Sequence, residues 1–250
     1  MSDDPFATDV ETLDLLGDLA KEVPEERGEF EDLPPDVWVI GRTCGSENGK
    51  AAPEIRTQVA KKGDHIGKEF PQFNVGILTL GGDAAVDKKY RNRITYYNCF
   101  VEKGDKEEHA GPISGQFTGF LNSCFAAGVG NDLVAPAGSD RETKSRMNAE
   151  RSAARWAATV AALKVAATAN PECTLKAYEG NRAKLIAGLA VAALTERPRF
   201  VLFKTKRSEF TNRSGEKQSK IEVSSIEEFT PERAERRKVS MFDEADGFGY

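Results

Sequence analysis

The stretch DKKYRNRITYYNCFV, residues 87–101, decides how the chain is read. Its alternation predicts a strand, because successive side chains of a strand point to opposite faces. One face carries Tyr90, Ile94, Tyr96 and Phe100 and is expected to join a core. The other carries Lys89, Arg91, Arg93, Thr95 and Tyr97. That second face is cationic and holds a ring. Cations meet phosphates and a ring gives a base something to stack on, so the pattern points to single-stranded nucleic acid. The plainer reading is an amphipathic strand with a solvated basic face.

Around this stretch the apolar pattern predicts further strands at residues 36–40, 70–80, 199–207 and 216–228. The last two are joined by a turn at residues 212–215, with Ile221 and Val223 facing in. Residues 114–127 place Phe117, Phe120, Leu121, Cys124 and Phe125 on one helical face, with Ser114 as N-cap and Gly128 as stop. Residues 148–169 are alanine-rich and predict a long packing helix with a stripe of Trp156, Val160, Leu163 and Ala167. Residues 131–145 read as a polar linker, 185–194 fit strand or helix, and 231–238 read as a charged exit segment.

The chain has 250 residues and a net charge of −5, which on its face disfavours a nucleic-acid binder. The distribution reverses that. Residues 1–32 hold twelve acidic and two basic side chains, and residues 239–250 hold three acidic and none basic. Residues 33–238 are left with 33 basic and 25 acidic side chains. A basic body with acidic ends is the footprint of a protein that meets polyanions. The expected organisation is an acidic N-terminal arm over 1–32, a domain over 33–238 with a helical insertion around 140–180, and an acidic tail over 239–250. Both acidic ends are expected to be disordered.

Several function classes find no support. Gly45 and Gly49-Lys50 suggest a phosphate loop, but Cys44 stands where its first glycine belongs and Ala51 where its hydroxyl belongs. The four cysteines are scattered, and only His65 and His109 accompany them, so neither a metal site nor any cofactor is expected. No catalytic triad or paired-carboxylate motif is present, and the chain is read as a non-enzyme. No apolar run is long enough to span a bilayer and no secretory signal opens the chain, so a cytoplasmic protein, in the host cytoplasm if viral, is expected.

Strand–strand–strand–helix–strand–strand is the order of a small Greek-key barrel such as the OB-fold. The predicted fold class is therefore mainly β with helices: an OB-like barrel elaborated by the alanine-rich helix. The basic–aromatic strand, the helix SGQFTGFLNSCFAAGV, the hairpin FVLFKTKRSEFTNRSGEKQSKIEV and the terminal SMFDEADGFGY together resemble phage-type single-stranded DNA-binding proteins. The resemblance covers roughly residues 33–129 and 180–250. It implies an OB barrel that coats exposed strands during replication, recombination and repair. It also implies an acidic tail that recruits polymerase, helicase–primase and nuclease partners.

The expected groove is lined by Lys89, Arg91, Arg93 and Tyr97, and by Lys204, Lys206, Arg207, Phe210 and Arg213 of the late hairpin, with Lys61 and Lys62 extending it. The tail would act through Phe242, Asp243, Glu244, Asp246, Phe248 and Tyr250. A homodimer is left open. The competing reading is a viral assembly or interaction protein that binds no DNA.

Overall fold

A computed structural model of the chain describes residues 32–59, 66, 67, 69–102, 113–211 and 214–242. Its organising element is a 14-residue strand, β3 (Glu69–Gly82), which is paired along both edges. Its first half ladders with β2 (Glu54–Val59) and its second half with β1 (Trp38–Thr43). The opposite edge takes β4 (Ile94–Phe100) and then the short β7 (Ser240–Met241). Beyond β1 come β5 (Phe200–Thr211) and β6 (Lys217–Glu228), a long hairpin. Every ladder is antiparallel. The result is a mixed α+β protein built on an open seven-stranded sheet, because β4 and β6 form no ladder with each other.

Three helices fill the connection from β4 to β5: α1 (Gly115–Phe125), α2 (Arg141–Ala169) and α3 (Arg182–Glu196). Helix α1 starts where the sequence predicts, with Ser114 Oγ accepting the Phe117 N–H at 3.1 Å. It lays Phe117, Phe120, Leu121 and Cys124 onto the inner sheet face. There Phe73 of β3 sits with its centroid 5.2 Å from Phe117 and 5.3 Å from Phe120. Helix α2 begins at Arg141, seven residues earlier than its alanine content indicates. Asp140 caps it by accepting the Thr143 N–H at 2.7 Å, and the polar residues after it are good helix formers. The supposed linker is thus partly helix. Thr159, Leu163 and Ala166 are the buried residues of α2, with Trp156 half-buried beside them. Segment 185–194 resolves as helix because Ala183, Ala187, Ala190 and Leu194 fall on one buried face.

A smaller apolar cluster, Ile40, Leu202, Ala234 and Val239, lies under α4 (Pro231–Arg237). The charged exit segment is this helix. Thr230 caps it, Pro231 opens it, and Lys238 closes it in a left-handed conformation with φ of 56°. The Arg237 guanidinium lies 4.1 Å from the Trp38 ring centroid, a cation–π contact between this helix and β1.

The junction between β6 and α4 is locked by a buried carboxylate. Glu228 is fully enclosed, with Arg155 of α2 at 2.9 Å and Arg233 of α4 at 2.7 Å. The Gly128 N–H also donates to it at 3.2 Å. Burial lowers the pKa of the Arg155 guanidinium, and the Glu228 charge opposes that shift.

The expected tail begins inside the fold. Val239 is buried, Ser240 and Met241 pair with β3, and the Phe242 N–H donates to the Leu80 carbonyl at 3.0 Å. Gly81 permits this approach, since a Cβ there would lie 2.1 Å from the Ser240 carbonyl oxygen. The acidic arm over residues 1–31 and the tail from residue 243 lie outside the described residues.

Candidate nucleic-acid interface

The stretch 87–101 is not one strand. Residues Lys88–Tyr90 form a short 3-10 helix, and Asn92 follows in the left-handed region with φ of 62°. Asn tolerates that conformation better than most residues. The turn is pinned to β3, with Asn92 N–H donating to the Thr79 carbonyl at 3.0 Å and Thr79 N–H donating to Arg93 at 2.8 Å. Lys89, Arg91 and Arg93 therefore sit on a turn and do not alternate along a strand. Lys89 Nζ lies 5.2 Å from the centroid of the Tyr90 ring, which is buried as expected.

Past the turn, the phase of β4 is the reverse of the expected one. Thr95 and Cys99 point inward and are buried, while Tyr96, Asn98 and Phe100 are exposed. A shift of one residue exchanges the two faces of a strand. Tyr97 consequently belongs to the core face. Its ring stacks on Phe120 at 5.0 Å, and its hydroxyl donates to the Gln116 carbonyl at 3.3 Å. Burial, followed by the neighbouring Cys99, pushes the Tyr97 phenol far above its usual range. Tyr97 is not a groove ring. Tyr96 at 45% exposure and Phe100 at 44% are the rings that β4 presents outward.

The outer face can be read row by row from the ladders, since directly opposed residues share a face. Phe100 lies opposite Gln72, Asn98 opposite Asn74, and Tyr96 opposite Gly76. On the other edge of β3, Arg56 lies opposite Gln72 and Gln58 opposite Phe70. Phe70 meets Phe100 edge-on at 6.1 Å. The patch is thus three rings among carboxamides, with Arg56 at its border. Arg56 is ion-paired with Glu54, and its hydrogen bond is the first cause holding the Glu54 carboxyl below its usual range. Glu54 also accepts from Asn74 Nδ2 at 2.9 Å.

The late hairpin carries the second set of expected residues. Lys206 and Phe210 share one face with Ser208, opposite Glu222, Lys220 and Gln218. Arg207 is on the other face, opposite Ile221. The cations are partly matched: Lys204 reaches Asp36 at 3.4 Å, and Lys206 reaches Glu222 at 3.9 Å. Lys220 lies 2.7 Å from Glu222, and this hydrogen bond leads the causes holding the Glu222 carboxyl low. The Lys220 ammonium also sits 5.7 Å from the Phe210 centroid. No ladder brings Lys89, Arg91 or Arg93 beside Lys204, Lys206 or Arg207, because β3 and β1 stand between β4 and β5.

Lys61, Lys62, Arg213, Asp243, Glu244, Asp246, Phe248 and Tyr250 lie outside the described residues. Phe242 is described, and it packs half-buried against the main core. Among the described residues no three His, Cys, Asp or Glu side chains group as metal ligands, and no helix is long and apolar enough to cross a membrane. The sequence reading missed the outward Tyr96, Phe100, Phe70 and Arg56. The signal that would have found the first two is Asn92, a turn former between two arginines. No family model, curated protein or solved structure matches the chain.

Proposed function

We propose that the chain binds single-stranded DNA with little sequence specificity, using the outer face of β3 and β4. One observation carries this reading: Tyr96 and Phe100 stand exposed on the same face of one strand. At about 3.3 Å per strand residue, the two rings are about 13 Å apart. Aromatic platforms of this kind bind bases of any identity by stacking, while cations at the rim track the backbone. Arg56 and the turn bearing Lys89, Arg91 and Arg93 supply those cations.

The sheet order supports an OB-like reading of the fold. Strands run β6-β5-β1-β3-β4 with helices in the β4–β5 connection, an order compatible with a Greek-key barrel left open between β4 and β6. In OB-folds the second and third strands and the loops after the first and fourth bind oligonucleotides. The corresponding parts here are β3, β4, the chain between β1 and β3, whose sequence includes Lys61 and Lys62, and the chain between β5 and β6, whose sequence includes Arg213. On this reading the protein coats exposed DNA during phage replication, recombination and repair, and its acidic C-terminus recruits replication partners in the cytoplasm.

The competing reading is an interaction protein whose exposed rings dock another protein. The pairing of Lys204 with Asp36 and of Lys206 with Glu222 favours it, because matched cations attract DNA less. Fluorescence anisotropy with labelled oligo-dT and duplex DNA, at low and high salt, separates the two. DNA binding predicts oligo-dT preferred over duplex and an affinity that falls with salt. An interaction protein binds neither.

A further inference from the structure

The outer face of β4 carries more than rings. Asn98 lies midway between Tyr96 and Phe100 and is exposed. Its carboxamide has no hydrogen-bond partner among the described residues. Its neighbour across the ladder is different: Asn74 is 1% exposed and committed to Glu54. The strand thus presents ring, free carboxamide, ring, in that order. Each step is about 6.7 Å, twice the 3.4 Å rise per nucleotide in a duplex strand. A strand that follows this pitch must be unstacked, with each base turned separately toward the sheet.

We propose that Asn98 reads the base edge of the middle nucleotide of three, while Tyr96 and Phe100 stack on the bases either side. The inference rests on the single-stranded DNA reading above and adds a base preference to it. A carboxamide has a donor and an acceptor side by side, and adenine offers the matching pair in its N6–H and N7. The stacked positions on either side tolerate any base. Residues opposite Asn98 do not compete for the base, because Asn74 is already tied to Glu54.

The test compares labelled d(TTA)4 with oligo-dT of the same length, titrated with wild type, Asn98→Ala and Tyr96→Ala. Every window of d(TTA)4 centred on adenine has thymine on both sides. Wild type is expected to prefer d(TTA)4 by about tenfold, the discrimination of one good bidentate contact. Asn98→Ala should bring the two oligomers within about twofold, while keeping most of the oligo-dT affinity. Tyr96→Ala should weaken both alike. A wild type that shows no preference, or an Asn98→Ala variant that keeps it, overturns the base-reading role and leaves the stacking platform standing. Failure of every oligomer to bind overturns the platform as well.

Discussion

Tyr97 stacks on Phe120 with ring centroids 5.0 Å apart and planes 22° from parallel. This contact fixes the phase of β4, because it commits odd-numbered side chains to the core and turns Tyr96 outward. The two adjacent tyrosines should therefore behave oppositely. Tyr97→Ala is expected to destabilise the fold by about 3 kcal/mol, the low end for truncating a core aromatic, because the ring is half-buried. Tyr96→Ala should leave the urea midpoint within experimental error. Equal losses of stability in the two variants would show that the phase is wrong.

Among the described residues, Glu228 should be the most sensitive single carboxylate. It is wholly buried between Arg155 and Arg233, so Glu228→Gln leaves Arg155 without its carboxylate and leaves Arg233 only its pair with Glu227. Breaking a buried pair in this way costs about 3–5 kcal/mol. Chemical denaturation checks it. A change below about 1 kcal/mol would mean that water reaches the arginines easily.

Stability should fall at alkaline pH through the thiols. Burial pushes Cys44 to about 11 and Cys99 to about 12, and it pushes Cys124 higher still. In the unfolded chain these thiols lose their protons near the ordinary value of 9.0. Between that value and the folded ones, the unfolded state holds fewer protons, so raising the pH favours unfolding. The thiol contribution is complete below the unfolded value and is lost as pH rises toward the folded values. Each thiol costs about 1.4 kcal/mol per pH unit inside its window. Urea midpoints at pH 8 and pH 10 should differ clearly, and Cys99→Ala should reduce the difference. A flat profile contradicts the burial of these thiols.

Two truncations separate the folded start of the C-terminus from the rest. Removing residues 243–250 spares every described contact of the C-terminal segment and serves as the reference. Removing residues 240–250 deletes the ladder of Ser240 and Met241 with Gly81 and Gly82, and the Phe242 contact with the core. The shorter protein should melt several degrees lower. Identical melting of both truncations would show that β7 adds no stability.

Much of the fold was legible where one local signal dominated. Residues 70–80 and 199–207 are legible as strands, and α1 is legible from Phe117, Phe120, Leu121 and Cys124 on one face and from its Ser114 cap. The early start of α2 was hidden because Arg, Glu and Lys after Asp140 look like linker, although they favour helix once capped. Helix α3 could not be told from a strand by periodicity, since residues 185–194 are apolar throughout. The candidate site was legible in kind but not in detail. The basic and aromatic content of 87–101 is plain in the sequence, and the segment does present two exposed rings, Tyr96 and Phe100. Alternation fails at Asn92, whose left-handed turn shifts the phase and turns Tyr96 outward in place of Tyr97.

The central claim is that Tyr96 and Phe100 form a stacking platform for single-stranded DNA. The most direct test is the affinity of the Tyr96→Ala/Phe100→Ala double variant for labelled oligo-dT, by anisotropy at moderate salt. Stacking is worth about 1–3 kcal/mol per base, so the affinity should fall at least about thirtyfold while the salt slope and melting temperature hold. A double variant that binds oligo-dT as tightly as wild type would contradict the account.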